Sequence, residues 1–352
     1  MLVGVNFDGV KIAERQNRQK AAPPSNYISD SFRIFSENGL KCLRIPFYWE
    51  SFEKDPNGFI QELEVISEEA DKNDVVCIYD NHQWECSSSL GYGIGFPNSL
   101  LCATLQQRRT THDSWSPPHK RELETFWNQW WDRKAVDSEK NDGWELQRDL
   151  LQTVISKLNN KKSTFGFEIL NEPQVYRNSD FKKVSEYHNF MVEDLEKYTE
   201  KPFLFSYVYP NSIRSFGFPW RQSKTRPTIK TKNRMILDIH PYPPYFIVLL
   251  YYKLVSTLMK TDTMFAGEFN SGVKENATIN PKQHSQYTKR LSGFSLYGAT
   301  FWWWSYELDN AHPAFNLTKV VENRIYPNEN FVNFVKSIGS NLNGQETLHS
   351  TT

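Results

Sequence analysis

Apolar positions along the chain gather into eight short runs that break off on polar residues, and most of the intervals between them show helical spacing. The runs are Leu2–Gly9, Leu40–Trp49, Val75–His82, Thr164–Leu170, Pro202–Val208, Met235–His240, Thr263–Asn270 and Ala299–Trp304. Nearly continuous hydrophobicity over so short a length is the pattern of a strand covered on both faces. Between the first two runs, Ile28, Phe32 and Phe35 recur on one helical face and the pattern stops at Gly39. Residues 60–70, 146–158, 181–198, 245–259 and 281–292 read as further helices, and 331–338 as a last one. Only the interval after the fifth run lacks a helix; residues 211–234 there are basic and irregular, which reads as a solvated loop. No solenoid repeat or linker divides the chain. The pattern therefore predicts an α/β fold, a (β/α)8 TIM barrel, as one domain over residues 1–352.

One connection departs from this rhythm. Residues 83–141, after strand three, form a long insertion, rich in Gly, Ser and Pro at first and then predicted helical over 122–132 with Phe126, Trp127, Trp130 and Trp131. Connections of that length usually have a function, here a reshaping of the barrel's mouth.

A barrel brings the residues that end its strands to one face. Strand four runs into Asn171-Glu172-Pro173, where the proline stops the strand and leaves a carboxylate at its tip. Asn6 and Asp8, Arg44, Asp80 and His82, His240 and Tyr242, Glu268 and the tryptophans of strand eight end the others. Carboxylates on strands four and seven, facing each other, are the equipment for hydrolysing an acetal: one protonates the leaving oxygen while the other attacks the anomeric carbon. Their roles require different pKa values. Arg44 is expected to keep Glu268 ionised, and neighbouring negative charge with aromatic walls to keep Glu172 protonated. Asn171 is placed to bond a sugar 2-hydroxyl, and His240 and Tyr242 to orient the glutamates. Strict alternation puts Trp302 and Trp304 on one face, either of which could floor a sugar site.

Composition narrows the partners. Lys plus Arg and Asp plus Glu both number 41, a zero net charge that argues against nucleic acid or an anionic membrane. Aromatic residues make up 15%, enough to supply both a core and a groove that stacks flat, weakly charged ligands such as sugars. The apolar stretch 245–259 is too short to span a bilayer and is expected to be a core helix. Cys42 and Cys77 lie inside strands as buried thiols; Cys86 and Cys102 flank one loop and would be placed for a disulfide in an exported protein. Strand-like sequence starts at Leu2, so no secretory leader is expected within this chain. The expected location is nonetheless extracellular or at the cell surface, and the expected state monomeric.

Arg44 in Leu-Arg-Ile-Pro, His82 in Tyr-Asp-Asn-His, Asn171-Glu172-Pro173, His240-Pro-Tyr242 and Glu268 in Ala-Gly-Glu-Phe come in order at successive strand ends. In this the chain resembles glycoside hydrolase family 5, the cellulase family within the retaining barrel clan A, from Gly4 to Trp304. The resemblance implies Glu172 as acid/base and Glu268 as nucleophile, with retention of anomeric configuration. It further implies β-linked glucans or mannans as substrates and no metal or cofactor. The leading expectation is an endo-acting β-glycanase on a β-1,4-type glucan. A β-mannanase or an exo-acting glycosidase would share its mechanism. A carbohydrate-binding protein without catalysis would not need both glutamates and Arg44. A glycolipid hydrolase would need the 245–259 side chains to face solvent rather than the core.

Overall fold

The structure is a computed structural model that describes residues 2–14, 22–90, 93–101, 117–177, 179–206, 229–242, 245–270, 280–292, 294, 296–307 and 315–342. Each of the eight apolar runs forms a strand: β1 (Leu2–Phe7), β2 (Cys42–Phe47), β3 (Val76–Asn81), β4 (Thr164–Glu168), β5 (Phe203–Ser206), β6 (Met235–Ile239), β7 (Thr263–Phe269) and β8 (Gly298–Trp304). Neighbours pair in parallel in sequence order, and β8 pairs with β1, closing a (β/α)8 barrel. Helices α1 (Tyr27–Glu37), α2 (Trp49–Lys54), α3 (Pro56–Asn73), α4 (Pro117–Trp131), α5 (Gly143–Leu158), α6 (Asp180–Leu195), α7 (Tyr245–Met259), α8 (Pro281–Ser292) and α9 (Glu329–Leu342) complete it. Trp49, read from sequence as the end of strand two, instead opens α2.

Alternation along each strand divides the core in two. Val5, Phe7, Leu43, Ile45, Phe167, Phe205, Leu237 and their neighbours face outward into the large core beneath the helices. Cys42, Ile78, Leu204, Ile236 and Phe265 point inward and form a small apolar floor inside the barrel. One step of two residues further along the same strands brings Arg44, Asp80, Ser206, Asp238 and Gly267 to the interior, and the same step takes Gly4 to Asn6 and Gly166 to Glu168. The barrel thus carries a polar layer directly above its apolar floor.

The insertion docks rather than dangles. Glu50, fully buried, accepts the Gly95 N–H at 2.9 Å and the Ser88 hydroxyl. Phe96 packs its ring 4.9 Å from Phe126 and 4.8 Å from Trp130. Phe126, Trp127, Trp130 and Trp131 are all buried, so the aromatic surplus of this helix is core. Residues 102–116 of the insertion and 211–228 of the basic stretch lie outside the described residues. So does Cys102; Cys42, Cys77 and Cys86 are buried free thiols.

A hairpin absent from the sequence reading, β9 (Thr318–Val321) and β10 (Arg324–Pro327), sits between β8 and α9. Its turn residues Glu322 and Asn323 have φ of 48° and 60°, the left-handed values a tight hairpin turn requires, but without the glycine that advertises one. Among the described residues no helix is long and apolar enough to cross a membrane.

Two histidines in the outer core give the fold an acid sensitivity. His188 on α6 is fully buried against Tyr187 and Phe205, with no hydrogen-bond partner at either ring nitrogen, and burial pushes its pKa down to about 3. His284 on α8 stacks on Phe269, and burial pushes it down to about 4. Both values lie below the unfolded reference of about 6.5, so acid protonates the unfolded chain first. The stabilisation is present above pH 6.5 and is lost as pH falls toward the folded values. At pH 5 each histidine should lower stability by about 2 kcal/mol relative to pH 8. Urea unfolding at the two pH values tests this; a His188→Leu, His284→Phe double variant that keeps the full wild-type pH slope would refute it.

Candidate active site

The polar layer is built around one cation. Arg44, fully buried on β2, donates from Nε to Glu168 at 2.9 Å, from one terminal nitrogen to Asn6 at 3.0 Å and Glu268 at 3.1 Å, and from the other to Asn171 at 2.8 Å. It also lies 3.0 Å from Asp80 and 3.5 Å from Asp238. A single guanidinium therefore touches carboxylates from β3, β4, β6 and β7. Burial works against its charge, but Asp80, Glu168, Asp238 and Glu268 together hold its pKa well above the ordinary value.

Strands β3 and β6 repeat one device. An Asp points into the barrel and the His two residues later stands above it on the same face. Nδ1 of His82 lies 2.7 Å from Asp80, and Nε2 of His240 lies 3.0 Å from Asp238. The other nitrogen of His240 lies 2.5 Å from Oε1 of Glu172 and 3.7 Å from Oε2 of Glu268. Burial opposes a charged His240, yet Glu268, Asp238 and Glu172 raise its pKa well above the usual value. Asp238 answers in kind: against burial, His240 and then Arg44 hold its carboxyl below the ordinary range. Its other oxygen accepts the Gly267 N–H at 2.7 Å. A Cβ on Gly267 would come within 2.3 Å of that carboxylate, so only glycine allows the approach.

Glu268, at the end of β7, receives two donors, Arg44 on Oε1 and the Tyr242 hydroxyl on Oε2 at 3.0 Å. Glu172 follows β4 with φ of 40°. Its backbone is held on both sides: the N–H donates to Ser206 at 3.2 Å, and Gln83 donates to the carbonyls of Asn171 and Glu172 at 2.7 and 2.8 Å. Oxygens of Glu172 and Glu268, with a nitrogen of His240, all lie within 4.8 Å of one another. Asn171 accepts from Arg44 and gives one amide hydrogen to the Gln83 carbonyl at 2.8 Å, which leaves the second hydrogen of that amide for a ligand. The ring of His82 stacks on Trp302, centroids 5.2 Å apart and planes 16° from parallel.

Of the residues singled out from sequence, Arg44, His82, Asn171, Glu172, His240, Tyr242, Glu268 and Trp302 therefore come together. Trp304 does not. It is fully buried outside the barrel, 4.9 Å from Phe35 and 5.2 Å from Phe331, with its indole N–H on Ser31 at 2.9 Å. The pairing with β1 runs Val5↔Phe301 and then Phe7↔Trp304, so β8 carries one extra residue there. A bulge of that kind breaks the alternation from which a shared face was expected. Glu168, Asp238 and Gln83 were given no role from sequence; the first two lie inside apolar strands and the third opens the insertion.

Among the described residues two groups of three bring metal-ligating atoms together, Glu168 with Asp238 and His240, and Glu172 with His240 and Glu268. In both, carboxylates already face Arg44 or His240, so a dication would enter against cations in place. The donor set fits an internally neutralised charge network better than a metal centre.

The family model described as cellulase, glycosyl hydrolase family 5, matches residues 5–310. No curated protein matches the chain. Among solved structures it is similar to the lactosyl-enzyme intermediate of endo-glycoceramidase II from Rhodococcus sp., with TM-score 0.65 and 12% identity over 86% of this chain and 73% of that one. It is also similar to Pseudomonas stutzeri endoglucanase Cel5A in complex with cellobiose, with TM-score 0.60 and 12% identity over 96% and 92%. At such identities the likeness is one of fold.

Proposed function

The chain belongs to glycoside hydrolase family 5, and from that premise we propose that it is a retaining endo-β-glycanase acting on β-1,4-linked glucan, with Glu172 as acid/base and Glu268 as nucleophile. The observation that carries this reading is the approach of the Glu172 and Glu268 oxygens to within 4.8 Å with His240. A retaining pair stands about 5–5.5 Å apart, whereas an inverting pair leaves room for a water at about 6.5–9.5 Å.

In the first step a Glu268 oxygen attacks the anomeric carbon and Glu172 gives its proton to the glycosidic oxygen. That bond breaks, the leaving group departs as an alcohol, and a glycosyl ester forms on Glu268. In the second step Glu172 takes a proton from water, the water oxygen attacks the same carbon, and Glu268 leaves as carboxylate. His240 occupies Oε1 of Glu172, which leaves Oε2 to carry the proton in transit. Arg44 and Tyr242 hold the two oxygens of Glu268, fixing the carboxylate plane before attack. The free amide hydrogen of Asn171 is offered to the 2-hydroxyl, and Trp302 with His82 walls the ring. A polymeric substrate would place the enzyme's work outside the cell or at its surface.

One observation favours a second reading, a β-glycoside with a lipid leaving group. The 245–259 helix was expected to face the core, and only part of it does. Leu249, Tyr252, Val255 and Met259 are buried, but Leu250 and Leu254 are 48% and 45% exposed. They lie one helical turn apart on α7, which follows β6 and the His240 just past its end.

The two are separated by products from carboxymethyl-cellulose, barley β-glucan, glucomannan, galactomannan and detergent-dispersed glucosylceramide. Mixed oligomers from the glucans are expected. Turnover of the ceramide alone would establish the second reading, turnover of mannans alone would move the sugar, and turnover of none would overturn both.

A further inference from the structure

Four carboxylates, Asp80, Glu168, Asp238 and Glu268, surround Arg44, and three of them have another donor. Asp80 faces His82, Asp238 faces His240 and the Gly267 N–H, and Glu268 has the Tyr242 hydroxyl. Glu168 differs. Both of its contacts with Arg44, from Nε and from a terminal nitrogen at 2.9 Å each, fall on Oε2. Its Oε1 is buried with no donor facing it; Oδ1 of Asp80 is also without one, but the other oxygen of that carboxylate faces His82 as well as Arg44, whereas Glu168 has Arg44 alone. A carboxylate oxygen buried without a donor is strongly disfavoured, and the neighbouring group is another acid, since Glu168, Asp238 and His240 offer atoms within 4.8 Å of one another.

We propose that Glu168 is a neutral carboxylic acid that donates its proton from Oε1 to Asp238, and that it is a positioning residue for the acid/base Glu172. The chain of contacts runs from Glu168 to Asp238, from Asp238 to Nε2 of His240, and from Nδ1 of His240 to Glu172. With Glu168 neutral, Asp238 is left as the anion that holds His240 charged, and His240 can then donate at both nitrogens. An ionised Glu168 would set two carboxylates against each other and compete with Asp238 for Arg44. Burial raises the Glu168 carboxyl well above the usual range, with Arg44 opposing and Asp238 and Asp80 adding to the rise. A hydrogen bond from Glu168 would add to His240 and Arg44 in holding the Asp238 carboxyl below the ordinary range. Arg44 from β2, Asp80 from β3, Asp238 from β6 and His240 just past its end are charged groups acting on it.

The functional role rests on the glycosidase reading, but the protonation state does not, and the experiment separates them. The infrared difference between wild type and Glu168→Gln at pH 7 should show the C=O stretch of a protonated carboxyl, sensitive to deuterium exchange and additional to that of the acid/base Glu172. Gln has the same shape, accepts from Arg44 with its oxygen and donates to Asp238 with its nitrogen. Its kcat/KM should therefore stay within about threefold of wild type with an unshifted pH profile, whereas Glu168→Leu loses both bonds and about a hundredfold or more. Absence of the band from that difference, or a Gln variant as impaired as the Leu variant, would overturn the proposal. A wild type that shows the band but cleaves no β-glycoside would sink the functional reading alone.

Discussion

Replacing Glu268 by Ala should lower kcat by about a thousandfold or more on every β-glycoside the protein cleaves, whatever its leaving group. In the proposed mechanism the carboxylate at the end of β7 supplies the bond made in the first step, so no choice of substrate would bypass it. Replacing Glu172 by Ala should behave differently. Its first task in the proposed mechanism is to protonate the departing oxygen, and a dinitrophenolate leaves without a proton. For dinitrophenyl cellobioside the first step should therefore stay near the wild-type rate, while a natural alkoxide leaving group loses about two to four orders of magnitude. The second step still needs a base, so the covalent intermediate should accumulate, and added azide should trap it as the β-glycosyl azide. Stopped-flow measurements of both variants on both substrates decide the matter. Equal losses on the two leaving groups for Glu172→Ala would remove it from the acid/base role, and an α-configured azide would exclude a double displacement.

The largest effect on stability should come from Arg44. Its removal leaves Asp80, Glu168, Asp238 and Glu268 around an empty centre, and Asn6 and Asn171 without their donor. Breaking a buried ion network from one side costs about 3–5 kcal/mol, against a total stability of about 5–15 kcal/mol for a typical protein. Arg44→Met, which keeps the bulk and loses the charge, should lower the urea unfolding free energy by about that amount at pH 7. Part of the loss should be recovered at lower pH, where protons replace the missing cation. Arg44→Lys should rescue only partly, because a single ammonium cannot reach acceptors from five strands and the Asn171 turn at once. A change below about 1 kcal/mol for Arg44→Met would show that the carboxylates neutralise one another by sharing protons.

The barrel is legible in the sequence because parallel strands are covered on both faces and announce themselves as apolar runs. Glu172 and Glu268 stand out for a related reason: each interrupts hydrophobic sequence where a strand is about to end. Glu168 and Asp238 are hidden by the same logic. They sit one residue pair deeper, inside the apolar runs, and the partners that make them tolerable come from distant strands. A local sign of this layer exists, the Asp-x-His spacing shared by residues 80–82 and 238–240, since two positions apart means one face of a strand. The bulge that turns Trp304 outward depends on pairing with β1 and has no signature in β8 itself. In α7 nearly every position is apolar, so periodicity could not show which leucines would meet solvent. The hairpin at 318–327 escaped because Glu-Asn occupies a turn usually marked by glycine.

The left-handed backbone at Glu172 sets stability and activity against each other at a single position. Residues other than glycine meet a steric penalty of about 1 kcal/mol at such dihedrals, and here Gln83 and Ser206 hold the conformation in place. A library selected only for heat resistance would be drawn toward glycine at a site where the proposed mechanism needs a carboxyl. Thermostabilising this scaffold therefore calls for a selection that reads turnover as well as folding, or for improvements confined to the helices.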